Sequence, residues 1–271
     1  MVRAMNARDQ RTDTGSARQR LVDFGFRRVA EEEKASLVRD VFEQVSPRYD
    51  LMNDLMSGGI HRLWKNSLVD WLRPRPGMSL LDVAGGTGDV AARVVERVGA
   101  EACGAVIVCD LTPEMLATGR DRLIDRGLLP GESGGPLHWV CGDAEALPLP
   151  ARSVDAYTIA FGLRNVTRID AALAEARRVL RPGGRFLCLE FSRVVLPLLD
   201  SLYERYSFQV LPALGAVVTG NREAYAYLVE SIRRFPDQAA LAGLIEAAGL
   251  EQVRYRNLSG GVAAIHSAWR L

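Results

Sequence analysis

The chain has 271 residues, of which 48% are apolar and 25% are charged, the ordinary composition of a globular protein with a sizeable core. Its formal net charge of +1 argues against a protein built chiefly to hold nucleic acid by its phosphates. The sequence has no uncharged apolar run of about 18 residues, so a membrane-spanning helix is not expected.

Residues 1–22 form a polar, arginine-rich stretch that we expect to be a disordered tail. This stretch lacks the apolar core of a secretory signal, and Asp9 and Asp13 count against a mitochondrial transit peptide. We therefore expect a cytoplasmic protein. Peripheral attachment at the inner face of the membrane is the alternative. Residues 23–271 are expected to form a single domain.

Two helices are predicted before the first strand. EEEKASLVRDVFEQV (31–45) carries one apolar helical stripe that Ser46 and Pro47 close, and a second helix ends near RPRPG (73–77). Residues 23–76 are therefore predicted to form a helical lid over a ligand, and the alternative is a helical segment that only packs against the fold.

Strands and helices alternate from there onward. Strands are predicted at SLLDVA, GAVIVCD, PLHWVCG, VDAYTIAF and GRFLCLEF, with helices at about 88–98, 113–127 and 168–180. This alternation predicts an α/β fold with a Rossmann-like, doubly wound and mostly parallel sheet. A helical insertion (194–235), a further helix, and two strands forming a C-terminal antiparallel hairpin complete the predicted order.

The four cysteines show no C-x-x-C spacing. Cys109, Cys141 and Cys188 fall in predicted strands, which favours buried free thiols in a reducing compartment. No group of residues has the spacing of a metal site, and none is expected.

Three glycines, Gly85, Gly86 and Gly88, follow the first predicted strand and precede a helix. Glycine leaves room for a ligand to approach the backbone. Asp110 ends the next strand, 22 positions beyond Gly88, where a carboxylate accepts ribose hydroxyls. Because NAD and S-adenosyl-L-methionine both carry an adenosine ribose, these residues favour neither.

Two more acidic residues distinguish between the two candidate ligands, NAD and S-adenosylmethionine. Asp82 lies inside the glycine turn, where a carboxylate attracts an ammonium group and repels a pyrophosphate. Asp143 follows the third strand and is placed to accept the adenine amino group. Both residues have an alternative reading as turn or cap residues. Three acids at three successive strand ends nevertheless favour S-adenosylmethionine.

The sequence resembles the ubiquinone/menaquinone biosynthesis C-methyltransferase family, and the resemblance runs from about residue 23 to the C-terminus. The motifs are YDLMNDLMSGGIHRLW (49–64), DVAGGTGD (82–89), FGLRNVT (161–167), RVLRPGGRFLCLEFS (178–192) and YLVESIRRFPDQ (227–238). The glycine turn is common to many methyltransferases, whereas the first and fourth motifs are more distinctive. The resemblance implies methylation of a ring carbon of a polyprenylated benzoquinol or naphthoquinol.

The resemblance also implies which residues contact the cofactor. Thr87, Asp110, Asp143 and Ala144 occupy contact positions, and Ala160 stands where a serine is frequent. A hydroxyl contact is therefore missing at Ala160, and a backbone contact is expected instead. The full predicted cofactor set is Asp82, Gly85, Gly86, Thr87, Gly88, Asp110, Asp143, Ala144 and Ala160.

Ring methylation requires a phenolate, so the site needs a group that steadies it and a route for its proton. Arg164 is the first choice, since the resemblance favours a guanidinium that stabilises the phenolate and orients a water. An ion pair with a carboxylate such as Asp170 is the alternative. His61 is the second candidate, as a general base, and its alternative is packing beside Trp64.

Four residues are predicted to contact the substrate. Tyr49 and Asn53 lie in the proposed lid, whereas Arg222 and Tyr225 are placed near the quinol ring or, alternatively, on a surface helix face. The apolar stretch 194–218 is predicted to hold the prenyl tail or to lie in the membrane interface. Core packing and a dimer surface remain alternatives for it.

Other functions stay open at this stage. They are a methyltransferase acting on another lipid or phenol, an NAD-dependent dehydrogenase, and a catalytically silent scaffold of a quinone-synthesis complex. The missing hydroxyl at Ala160 gives the scaffold some weight. A prenylated quinol is the expected partner, with a quinone-biosynthesis complex or a homodimer left open and no nucleic acid expected.

Overall fold

The computed structural model describes residues 20–45, 54, 57–195 and 222–271. The predictions made for residues 1–19, for Tyr49 and Asn53, for residues 196–221 and for the side chain of Arg222 lie outside the described residues.

A short hairpin precedes the first helix. It consists of β1 (Leu21–Phe24) and β2 (Arg27–Ala30), paired antiparallel. Phe24 stacks on Tyr227 with ring centroids 4.2 Å apart, which ties the hairpin to a helix near the C-terminus. The sequence pattern predicts no strands here, because two strands of four residues are too short to show a clear alternation of apolar and polar residues.

The domain is centred on one sheet of seven strands, in the order β5-β4-β3-β6-β7-β9-β8. Neighbours from β5 to β7 pair in parallel, whereas β9 is antiparallel to both β7 and β8. The predicted mostly parallel sheet and its C-terminal hairpin are therefore confirmed. The strands are β3 (Leu80–Val83), β4 (Val106–Asp110), β5 (Leu137–Cys141), β6 (Val154–Ala160), β7 (Leu180–Phe191), β8 (Glu251–Leu258) and β9 (Ala263–Arg270).

Seven α-helices surround this sheet in the described ranges. Those of the alternating region begin and end within two residues of the predicted bounds, because their apolar spacing follows the helical period closely. The helices are α1 (Glu31–Val45), α2 (His61–Leu72), α3 (Asp89–Val98), α4 (Pro113–Asp125), α5 (Ile169–Val179), α6 (Arg222–Arg234) and α7 (Gln238–Ala247).

Both faces of the sheet are covered, and the core is divided accordingly. Leu80 points to the cluster that contains residues of α2, α3, α4 and α6, while its neighbour Leu81 points to the cluster of α5 and α7. Successive strand residues alternate between faces, so a parallel strand buried on both sides needs apolar residues throughout. In β3 all four residues are buried, the acidic Asp82 among them.

The prediction of buried thiols holds for Cys109 and Cys188 and is wrong for Cys141, which is exposed. Cys141 is the last residue of β5, the strand at one edge of the sheet. An edge position leaves its side chain without a covering neighbour. Burial raises the pKa of the Cys109 thiol to about 12.

In the described ranges, no helix has both the length and the apolar character needed to cross a membrane.

Candidate functional site

A cleft opens at the carboxyl ends of the parallel strands, as expected for a doubly wound sheet. It encloses about 800 Å³ of space, part of it open to solvent. Helix α1 forms one wall of the cleft, and a lid role for residues 23–76 stays a prediction. The lining residues are Ala35, Val38, Arg39, Phe42, Val83, Ala84, Gly86, Asp110, Leu111, Thr112, Met115, Gly142, Asp143, Ala144, Glu145, Phe161, Gly162, Asn165, Val166 and Thr167.

The glycines of the turn between β3 and α3 serve different purposes. Gly86 lines the cleft and has a φ of +55°, in the left-handed region that favours glycine. At Gly85 a Cβ atom would lie 2.7 Å from Cγ1 of Val108, so protein packing rather than a ligand excludes a side chain there. At Gly88 the close neighbour is the Trp139 ring. Of these three glycines, Gly86 alone lines the cleft, and cofactor contacts by Gly85 and Gly88 stay predictions.

Asp110 lines the cleft and braces the turn. Its Oδ2 accepts the backbone N–H of Gly86 and its Oδ1 that of Thr112, both at 2.9 Å. Burial raises the pKa of this carboxyl group, and the backbone hydrogen bonds oppose that shift. A carboxylate has acceptor capacity beyond two donors, so Asp110 is still able to accept ribose hydroxyls.

Asp143 and Ala144 also line the cleft, directly after β5. Oδ1 of Asp143 accepts the backbone N–H of Glu145 at 2.9 Å, an Asx turn. The turn role considered for Asp143 is therefore present, and it coexists with a position at the cleft.

Asp82 lies beneath the glycine turn and is absent from the cleft lining. It is 1% exposed, and its Oδ1 accepts the hydroxyl of Thr158 at 2.7 Å. Its Oδ2 has no hydrogen-bond partner at normal distance among the described residues. Burial raises the pKa of Asp82 to about 7, so a cation brought close to Oδ2 would favour the ionised form.

Thr87 and Ala160 are placed beside the cleft rather than on its surface. Thr87 is buried under α4, where a Cβ atom on Gly119 would lie 2.6 Å from its Cα. Ala160 ends β6, and the residues that follow it, Phe161 and Gly162, line the cleft instead. Direct cofactor contacts by Thr87 and Ala160 stay predictions.

Arg164 follows β6 in a single 3-10 turn and forms a buried ion pair. Its Nη1 lies 3.0 Å from both carboxylate oxygens of Glu190 and donates to the carbonyl of Phe161 at 2.7 Å. The side chains of Arg164 and Glu190 are 3% and 1% exposed. The ion pair considered as an alternative is therefore present, with Glu190 on β7 as the partner instead of Asp170.

A second cavity lies next to the cleft, and Arg164 lines it together with Lys34 and Tyr227. Val166 and Thr167 line both spaces, so they form a shared wall. Nζ of Lys34 donates to the carbonyl of Val166 at 3.0 Å, and burial lowers the pKa of this lysine.

His61 begins α2 and is buried, with Nε2 3.0 Å from Oδ1 of Asp54. Burial is the main cause that lowers the pKa of His61. The histidine is absent from the lining of both the cleft and the second cavity. This position matches the packing alternative, and a role for His61 as a base stays a prediction.

Tyr225 is a residue of α6 and is fully buried in the core. The alternative of a surface helix face is therefore wrong for this residue. It is also absent from the lining of the two cavities, so substrate contact by Tyr225 stays a prediction.

Several cleft residues were missed by sequence reasoning. The apolar wall from α1, which includes Val38 and Phe42, has no local signal, because its contact with the cleft depends on tertiary packing. Leu111 and Thr112 follow Asp110 directly, and that adjacency is the signal that would have identified them. Among the described residues, no group of His, Cys, Asp and Glu side chains is arranged to hold a metal ion.

Comparison with known proteins finds relatives along nearly the whole chain. A sequence model of the ubiE/COQ5 methyltransferase family matches residues 27–270. A protein of Paracoccus denitrificans named ubiquinone/menaquinone biosynthesis C-methyltransferase UbiE is 57% identical over 249 residues, covering 92% of this chain and 96% of its own. A protein of the same name from Brucella abortus is 55% identical over 250 residues, covering 92% and 90%.

Solved structures support the fold independently of sequence. A SAM-dependent methyltransferase of Thermotoga maritima superposes with a TM-score of 0.60 at 18% identity, covering 86% of this chain and 100% of that one. One from Aquifex aeolicus superposes with a TM-score of 0.57 at 17% identity, covering 81% and 97%. The predicted fold and the predicted family are both confirmed: the chain belongs to the ubiE/COQ5 methyltransferase family.

Proposed function

We propose that this protein transfers a methyl group from S-adenosylmethionine to a ring carbon of a polyprenylated benzoquinol or naphthoquinol, in ubiquinone or menaquinone biosynthesis. The observation that carries the proposal is the 57% identity, along nearly the whole chain, to a relative named as a C-methyltransferase of these pathways. Both ring types present a hydroxyl beside a bare carbon, so both belong to the proposed substrate class.

The residues around the cleft fit S-adenosylmethionine better than a dinucleotide. Asp82 offers a buried carboxylate oxygen that lacks a hydrogen bond, which suits the ammonium group of the methionine part. The same carboxylate would repel a pyrophosphate placed at the turn. Asp110 would hold the ribose and Asp143 the adenine. When bound, this cofactor supplies a methyl group on a positively charged sulfur.

The protein's own contribution is to position the ring, exclude water and steady negative charge. Val38, Phe42 and Phe161 give the cleft an apolar wall that keeps bulk water from the reacting carbon. Glu190 fixes the Arg164 guanidinium through Nη1. Nε of Arg164 has no partner among the described residues, and this donor would stabilise the phenolate oxygen of the substrate.

The prenyl tail places the reaction near a membrane. Such a tail partitions out of water, so the enzyme meets its substrate at a membrane surface. Peripheral contact with that surface, as a homodimer or within a quinone-biosynthesis assembly, is therefore part of the proposal. Residues 194–218 would supply the apolar groove for the tail.

The test combines binding with catalysis. S-adenosylmethionine and NAD are titrated separately by calorimetry, and product formation is followed by mass spectrometry with short-tailed demethylated benzoquinols and naphthoquinols. Asp110→Ala should weaken cofactor binding at least tenfold, by about 1.4 kcal/mol or more. Arg164→Ala should leave that binding nearly intact and lower the rate.

Three results would overturn this proposal. Binding of NAD alone would indicate a dehydrogenase, and a folded protein that binds neither ligand would indicate a scaffold. Methyl transfer confined to other phenols or lipids would move the enzyme to a different substrate class.

A further inference from the structure

A groove on the far side of the domain contains four arginines and two tryptophans. We call it the basic-aromatic groove and define it by Trp71, Arg73, Arg185, Arg254, Arg256 and Trp269. It encloses about 1400 Å³ of space that is open to solvent. None of these six residues lines the catalytic cleft or the second cavity.

The sheet register explains why these side chains converge. Arg185 of β7 lies opposite Trp269 of β9, and Arg254 of β8 lies opposite Ser267 of β9. Directly opposite residues share a face, and so do residues two positions apart on one strand. Arg185, Trp269, Ser267 and Arg254 therefore project from the same face, and Arg256 joins them two positions beyond Arg254.

Stacking holds the groove in shape. The guanidinium of Arg256 lies 4.2 Å from the centroid of the Trp71 ring. Arg185 lies 5.8 Å from Trp71 and 4.9 Å from Trp269, and its Nε donates to the hydroxyl of Ser267 at 3.2 Å. The three contacts with tryptophan rings are cation–π interactions, so these guanidinium groups are already positioned before a ligand binds.

The groove carries positive charge that its own walls do not balance. Asp70 is the sole carboxylate among the described lining residues, and it already pairs with Arg97 at 2.7 Å. Burial lowers the pKa of Arg185, and the neighbouring charges of Arg73 and Arg256 lower it further. The whole chain has a net charge of only +1, so the four arginines of the groove form a strong local excess of positive charge.

The groove runs along β8, the edge strand of the sheet in the part of the chain that the structure describes. β8 is the last strand in the strand order, and six of its eight residues are exposed. Arg185 lies near the start of the pairing between β7 and β9, whereas Glu190 lies near the other end of that pairing. Glu190 binds Arg164 beside the cleft. A partner bound here would leave the mouth of the cleft accessible.

We propose that the basic-aromatic groove binds an extended, carboxylate-rich segment of a partner protein. Guanidinium groups form bidentate pairs with carboxylates, and Trp and Arg side chains dominate the binding energy of protein interfaces. An extended segment also matches the eight residues of β8, which has one unpaired side among the described strands. A second copy of this chain would bring the same four arginines to an isologous contact, so like charges disfavour it.

An anionic lipid surface fits the basic-aromatic groove less well than a protein segment does. A bilayer seated on this groove would lie against the end of the sheet away from the cleft, and a prenylated substrate held in that bilayer would face the wrong end of the enzyme. This comparison rests on the proposed function, whereas the charge and register of the groove do not.

The test uses a fluorescein-labelled peptide of alternating glutamate and valine, about as long as β8, and follows fluorescence anisotropy at physiological ionic strength. We expect the double variant Arg254→Gln with Arg256→Gln to raise the Kd about tenfold. The matched control is Arg120→Gln on α4 with Arg126→Gln directly after that helix, which removes the same charge elsewhere. This control should change the Kd less than about twofold.

Three results would overturn the proposal. They are absence of peptide binding to the wild-type protein, an equal loss of affinity in both double variants, and groove-dependent co-sedimentation with phosphatidylglycerol vesicles in place of peptide binding. Far-ultraviolet circular dichroism confirms that each variant is folded. Methyl transfer by the groove variant should equal that of the wild type, so failure here is distinguishable from failure of the proposed function.

Discussion

Glu190 and Arg164 form an ion pair that is nearly sealed from water, and the protein's stability should depend on it strongly. The side chains are 1% and 3% exposed, and Nη1 lies 3.0 Å from both carboxylate oxygens. Removing one partner of such a pair leaves a buried charge without compensation, at a cost of about 3–5 kcal/mol. We expect Glu190→Gln to lower the free energy of unfolding by about 3 kcal/mol, since glutamine keeps the shape and loses the charge.

The measurement is urea unfolding followed by circular dichroism. The double variant Arg164→Met with Glu190→Leu removes both charges and should recover most of the loss, because buried ion pairs are often replaceable by apolar residues. Asp70→Asn supplies the matched control: its pair with Arg97 has a similar N–O distance of 2.7 Å, but both side chains are at least half exposed. That variant should lose less than about 1 kcal/mol.

Two outcomes would refute this reasoning. One is a loss below about 1 kcal/mol for Glu190→Gln, which would mean that water or another group compensates the guanidinium. The other is a double variant no more stable than either single variant, which would mean that packing rather than charge sets the cost.

Three further predictions concern titration, close packing and thiol exposure. Burial raises the pKa of Asp82 in the folded protein to about 7, so the folded state holds this proton more tightly than the unfolded chain does. The stabilising contribution of the protonated carboxyl group is complete below about pH 4 and is lost as pH rises through about 7, a difference of about 4 kcal/mol in the free energy of unfolding. Asp82→Asn should flatten that part of the urea-unfolding pH profile, and an unchanged profile would contradict the assignment. Gly85→Ala should destabilise the fold by about 1–3 kcal/mol, because the added Cβ would meet a valine methyl of β4 at 2.7 Å; Gly243→Ala has open space within α7 and should stabilise it by about 0.5–1 kcal/mol, both measured by thermal unfolding. Cys141 is exposed and should react with a thiol-specific disulfide reagent in the native protein, whereas equal reactivity of the buried cysteines of β4 and β7 would contradict the described core.

Sequence reasoning succeeds where the physical signal is local. The strands and helices between β3 and β7 follow from apolar spacing and glycine turns, since both depend on residues close together in the chain. Asp110 and Asp143 reach the cleft because the carboxyl ends of parallel strands meet at one edge of the sheet.

It fails where the partner is distant in sequence. Glu190 lies 26 positions from Arg164 and becomes its partner through the pairing of β6 with β7. Gly85 was expected to make room for a ligand, but Val108 of the neighbouring strand fills that space. The cleft wall from α1 likewise depends on how separate elements pack, which a single sequence does not encode as a local pattern.

The position of β9 constrains how the protein is made. The last strand along the chain, Ala263–Arg270, lies between β7 and β8 and supplies the pairing that joins β8 to the sheet. During translation β8 leaves the ribosome before β9, and no other described strand pairs with β8 until β9 follows. Among the described strands, β8 can therefore join the sheet only after β9 has formed. A chain that lacks Ala263–Arg270 should expose the edges of both β7 and β8 and become a substrate for chaperones and proteases.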